Sequence, residues 1–146
     1  MSNETTASIT LLNAFLRSEM SAAETYHQVL RRATDATTRA TLEDCSSSHE
    51  SRTRRLRDAI ELMGGTPASD AGVLGTFAGL AEGAARALGG RATASALARG
   101  EARGLREYRD NLGRLDAQGK ELVEDLLLPA QEHTTRVIHD LSRMLS

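Results

Sequence analysis

The sequence predicts an all-α protein, an antiparallel four-helix bundle in a single domain over residues 1–146, with a short helix in the crossover between helices two and three. Three observations predict it. Apolar residues recur at alternating steps of three and four over four long stretches. Gly, Pro and Asp punctuate the ends of those stretches. The first pair and the last pair of stretches are joined by short turns, whereas the central connection runs to roughly two dozen residues. Short turns make antiparallel hairpins and the long one makes a crossover.

Helix one is expected from about Thr6 to Ala33, with Ile9, Leu12, Leu16, Ala23, Tyr26 and Leu30 on its apolar stripe. Glu19 falls inside that stripe, while Glu24 falls outside it. Thr34-Asp35 makes the turn, and Asp35 is a suitable N-cap for helix two. Helix two is expected over Ala36 to Met63, with Leu42, Ser46, His49, Thr53, Leu56, Ile60 and Met63 on one face. Arg52, Arg54, Arg55 and Arg57 read as a solvated face beside Glu50 and Asp58. Gly64-Gly65 ends the helix and Thr66-Pro67 turns the chain. The crossover carries a helical period in Val73, Phe77, Leu80, Ala84 and Leu88, with Gly75, Gly79 and Gly83 as a side-chain-free stripe. Helix three is expected over Ala92 to Leu115, with Ala94, Leu97, Glu101, Leu105, Tyr108, Leu112 and Leu115 inward. Asp116 caps helix four, expected over Ala117 to Leu145. Its inward stripe reads Leu122, Leu126, Pro129, His133, Val137, Leu141 and Met144, with a kink at Pro129.

Composition narrows the function classes. A formal net charge of −2 gives no electrostatic case for nucleic acid or an anionic membrane. No stretch approaches a membrane span, and no secretory signal is visible at the N-terminus. Cys45 is the only cysteine, so no intrachain disulfide forms and a reducing, cytoplasmic setting is expected. Aromatics are 3% and Trp is absent, so the core must be built from Ala and Leu. No phosphate loop and no nucleophile–base motif is found.

The functional clue is a repeat. Glu19 precedes Tyr26 by seven residues, and Glu101 precedes Tyr108 by seven. Two helical turns put each pair on one face, about 10 Å apart along the axis. With His49 and His133 on the other two inward stripes, the halves read Glu19…Tyr26…His49 and Glu101…Tyr108…His133, an internal duplication. Burying two carboxylates and two imidazoles is unfavourable unless they pair or bind metal. Glu19, His49, Glu101 and His133 suit one divalent Fe, Mn or Zn ion. Tyr26, Tyr108 and Ser46 would stand behind them.

These residues resemble the ferritin-like superfamily, which includes bacterioferritins and rubrerythrins. The resemblance implies a ferritin-like bundle in which Glu19 and Glu101 match terminal carboxylates and His49 and His133 match the two histidines. The Glu of each Glu-x-x-His pair is missing, replaced by Ser46 and Ala130, so a di-iron oxidase or peroxidase lacks its bridging ligands. Leu11-Leu12-Asn13, Gly64-Gly65-Thr66-Pro67 and Gly100-Glu101 with Tyr108 are similar to a narrower bacterial family, the domain of unknown function 2383, which has no established activity. Two expectations stand beside each other. One is a core that binds a single metal. The other is a non-catalytic structural or stress-associated interaction bundle with a relic polar core and no catalytic residue, forming a homodimer through the Gly75/Gly79/Gly83 face or an exposed apolar strip.

Overall fold

The computed structural model describes residues 1–72 and 90–145. The crossover period, with Gly75, Gly79 and Gly83, lies outside the described residues. Helix α1 (Asn3–Leu30) opens at Ser2, whose Oγ accepts the Thr5 N–H at 3.0 Å. Helix α2 (Ala36–Leu62) starts at Asp35, whose carboxylate accepts the Thr38 N–H at 2.9 Å, the capping role expected of it. Helix α3 (Gly90–Asn111) runs into a short 3-10 turn (Leu112–Arg114). Asp116 then caps α4 (Ala117–Leu122) by accepting the Gly119 N–H at 2.9 Å. A π-helical segment (Val123–Leu127) joins α4 to α5 (Leu128–Met144). Among the described residues there is no strand, and no helix is long and apolar enough to cross a membrane.

The end of α2 shows why Gly64-Gly65 stands there. Gly64 has φ +88°, a left-handed conformation that side chains resist. Its N–H reaches Glu61 O at 3.0 Å, and the Gly65 N–H reaches Ile60 O at 2.9 Å, which is the Schellman pattern. A Cβ on Gly65 would stand 2.7 Å from Ile9 Cγ2, so the helix end lies tight against α1. Asn13 ties the following loop down: its amide donates to Thr66 O at 3.1 Å and accepts the Ala68 N–H at 2.7 Å.

α1 packs against α2 and α3 against α5, so the molecule is two hairpins brought face to face. Two apolar clusters fill the interior. One holds Leu12, Phe15, Leu16, Leu56, Ile60 and Val123. The other holds Tyr26, Leu42, Cys45, Leu97 and Ile138. The α2 stripe is buried as expected, from Leu42 through Ser46, His49 and Thr53 to Met63.

Helix four departs from expectation. The residues facing inward are Val123, Leu127, Gln131, Thr134, Ile138 and Leu141. Leu126 is 41% exposed and Met144 72% exposed, while Pro129 and His133 also face outward. Of the expected stripe, Leu141 is buried and Leu122 and Val137 pack half-buried against the edges of the two clusters, while Leu126, Pro129, His133 and Met144 are turned away from the core. The chain makes a π turn just before Pro129, with the Leu128 N–H bonded to Val123 O. Proline lacks the N–H that an α-helix would direct to the carbonyl four residues back, and its ring crowds that carbonyl. A wider turn removes the conflict without breaking the helix.

Candidate functional site

Between the two apolar clusters lies a layer of polar side chains contributed by all four bundle helices. α1 supplies Glu19 and Tyr26, and α3 supplies Glu101 and Tyr108. α2 supplies His49 and Arg52, and α5 supplies Gln131 and Thr134. All eight are buried, none more than 4% exposed.

The two Glu–Tyr pairs are exchanged between hairpins. Tyr26 Oη donates to Glu101 Oε1 at 2.9 Å, and Tyr108 Oη donates to Glu19 Oε1 at 3.0 Å. The heptad spacing puts each Tyr two turns from its own Glu, so it reaches the opposite Glu when α1 and α3 run antiparallel. His49 sits between the carboxylates. Its Nδ1 is 2.9 Å from Glu19 Oε2, and its Nε2 is 2.6 Å from Glu101 Oε1. An ionised carboxylate only accepts hydrogen bonds, so with both carboxylates ionised a ring that meets one at each nitrogen is suited to the imidazolium form; Arg52 Nη2 also lies 3.3 Å from Nε2. The ring also stacks on Tyr26, with centroids 5.3 Å apart.

Arg52 is the second cation. Its Nη1 donates to Glu19 Oε1 at 3.2 Å and to Gln131 Oε1, and its Nη2 donates to Thr134 Oγ1 at 3.0 Å. Thr134 Oγ1 lies 3.0 Å from Glu101 Oε2, and Gln131 Nε2 donates to that same oxygen at 2.9 Å. Two carboxylates thus face two cations. Among the described residues, every buried side-chain nitrogen and oxygen has a hydrogen-bond partner.

The titration behaviour follows from this arrangement. Burial alone would raise the Glu19 carboxyl, but the charges of Arg52 and His49, with hydrogen bonds from His49 and Tyr108, hold it below its ordinary 4.5. Burial likewise opposes ionisation of Glu101, and the His49 charge and hydrogen bond, then Arg52 and Tyr26, hold it below the same value. For His49, burial opposes the charge and Arg52 repels it. The Glu101 and Glu19 carboxylates outweigh both, and the imidazole lies above its ordinary 6.5. Burial, with Glu101 next, pushes the Cys45 thiol up to about 12, which keeps it in the neutral, weakly nucleophilic form.

Of the four expected ligands, Glu19, His49 and Glu101 come together and His133 does not. His133 is half exposed, with Nε2 3.3 Å from Asp44 Oδ2 on the surface. Tyr26 and Tyr108 each donate a hydrogen bond to a carboxylate. Ser46 is buried one turn before His49. The missed residues are Arg52, read from sequence as solvated, and Gln131 with Thr134. A signal for the last two was present. Glu19 and Glu101 are 82 residues apart, as are Tyr26 and Tyr108; the same step carries His49 to Gln131 and Arg52 to Thr134.

The donor set fits a metal ion poorly. Glu19 and Glu101 meet opposite nitrogens of one ring, so they flank His49 instead of converging on a point. The Arg52 guanidinium stands beside them, and a fixed cation there repels another. Among the described residues, no three His, Cys, Asp or Glu side chains are grouped to hold a metal ion. The void beside Glu19, His49 and Tyr108 measures about 10 Å³, room for one water at most.

Comparison with known proteins gives one finding. The family described as "Domain of unknown function (DUF2383)" matches residues 7–114, from the second turn of α1 through α2 and α3 to the 3-10 turn, and thus includes Glu19, His49, Arg52 and Glu101. No curated protein and no solved structure matches the chain.

Proposed function

We propose that this chain, which belongs to the family described as a domain of unknown function (DUF2383), is a non-catalytic bundle protein. Its buried ion network holds two helical hairpins in register, and its contacts are made by its surface. In this reading the fold is ferritin-like, with His49 and Arg52 as the internal cations. The observation that carries it is the His49 ring held between Glu19 and Glu101 with Arg52 beside it. Every hydrogen-bonding group there is already satisfied, and none is open to a substrate. Buried ionic groups contribute little net stability, but they penalise mispacked alternatives in which one of them loses its partners.

The test compares thermal unfolding of the protein and its His49→Ala variant, each with chelator and with Fe(II), Mn(II) or Zn(II). The expected result is the same large loss of Tm in all conditions and no stoichiometric metal in either protein. Near-stoichiometric metal in the parent, lost in the variant, would overturn the reading in favour of a one-metal centre on Glu19, His49 and Glu101.

A further inference from the structure

We propose that the groove between the last turns of α2 and the α4–π segment is a docking site for a cationic amphipathic helix of a partner protein. The groove measures about 410 Å³. Its apolar lining is Leu12, Ala59, Leu62, Met63, Leu122 and Leu126. Leu62 is 83% exposed and Leu126 41% exposed, two of the four large apolar side chains left open to water among the described residues. The other two, Met1 and Met144, lie near the chain ends. Leu62 and Leu126 come from different helices and line one concavity, which separates them from scattered surface leucines.

The π segment helps create this surface. Leu122 and Leu126 each stand one residue before the buried Val123 and Leu127, and Pro129 two before the buried Gln131, so they form a second apolar stripe on helix four. The core takes the buried face, Leu122 packs half-buried at its edge, and Leu126 is left exposed on the groove.

Charge selects the occupant. Glu121 and Asp125 stand on the groove, both exposed, and among the described residues neither makes an ion pair. Among the described residues, no Arg, Lys or His lines it. An apolar ridge flanked by Lys or Arg complements both the leucines and the carboxylates, which is the helix-in-groove mode. A second copy docked by a twofold axis would bring this acidic rim against itself. An anionic lipid surface would be repelled. The inference stands apart from the reading of the buried centre, because no residue of the groove touches the ion network.

The test uses fluorescence anisotropy with a labelled Leu/Lys helical peptide of about 18 residues, five turns, and its counterpart with Glu for every Lys. The parent protein is expected to bind the Lys peptide saturably, more weakly as salt rises, and not to bind the Glu peptide. Leu62→Ser/Leu126→Ser and Glu121→Lys/Asp125→Lys should each weaken binding at least tenfold with unchanged Tm. Glu24→Lys/Asp140→Lys, the same charge change on exposed side chains that do not line the groove, should leave it within twofold. Equal binding by all variants, or no saturable binding by the parent, would overturn the proposal. So would a concentration-dependent dimer of the parent that Leu62→Ser/Leu126→Ser abolishes, since the occupant would then be a second copy.

Discussion

Arg52 determines what the centre can do. A guanidinium among Glu19, Gln131 and Thr134 supplies, from within the chain, the positive charge that two buried carboxylates require. Removing it strands Glu19 with only His49 to balance it. Arg52→Met is therefore expected to destabilise the protein by about 3–5 kcal/mol. Glu19→Gln/Arg52→Met should lose less than the sum of the two single changes, because the double variant no longer buries an uncompensated charge. Denaturant titration of the four proteins measures the coupling, and strict additivity would mean that Arg52 acts through packing alone. His133 shows the opposite case. Two residues past Gln131, it points to a different side of α5 and meets Asp44 at the surface.

At the scale of the elements, backbone conformation requires a glycine at the end of α2 but not at the turn after α3. Gly64 closes α2 at φ +88°, where a Cβ is strained; Gly113, in the 3-10 turn, has open space around it. Gly64→Ala is expected to cost about 1 kcal/mol. Gly113→Ala is expected to be neutral or to stabilise by about 0.5 kcal/mol through the unfolded chain. Urea midpoints of the two variants, with unchanged slopes, would check the contrast; a Gly113 loss equal to that of Gly64 would contradict it. The π segment before Pro129 is the other backbone decision. By adding a residue to one turn, it brings Gln131 and Thr134 to the ion network and turns Leu126 outward.

For the whole molecule, the network couples stability to pH. Glu19 and Glu101 titrate below their ordinary 4.5 in the folded state, so their contribution is present above that value and is lost as pH falls through the lowered values. His49 titrates above its ordinary 6.5, so its contribution is full below 6.5 and is lost as pH rises through the raised value. Stability should therefore be greatest between about pH 4.5 and 6.5 and decline on either side. The alkaline decline should vanish in His49→Gln, and its persistence there would assign it to another group.

The sequence by itself determined the helical class, the two hairpins, the Asp35, Gly64 and Asp116 boundaries and the inward faces of α1, α2 and α3. Apolar periodicity and capping are local signals, and they bury most of the expected stripe positions there. It also marked Glu19, Tyr26, His49, Glu101 and Tyr108, because polar residues stand out on an apolar stripe. Only the tertiary structure decided that Arg52 belongs inside, since an arginine reads as solvated until a carboxylate on another helix is placed opposite it. The register of helix four was decided there too. Leu122–Leu126–Pro129 and Val123–Leu127–Gln131 are both plausible inner faces of one amphipathic stretch. The choice was made by the π turn that Pro129 favours and by the pairing of Gln131 and Thr134 with Glu101 across the bundle.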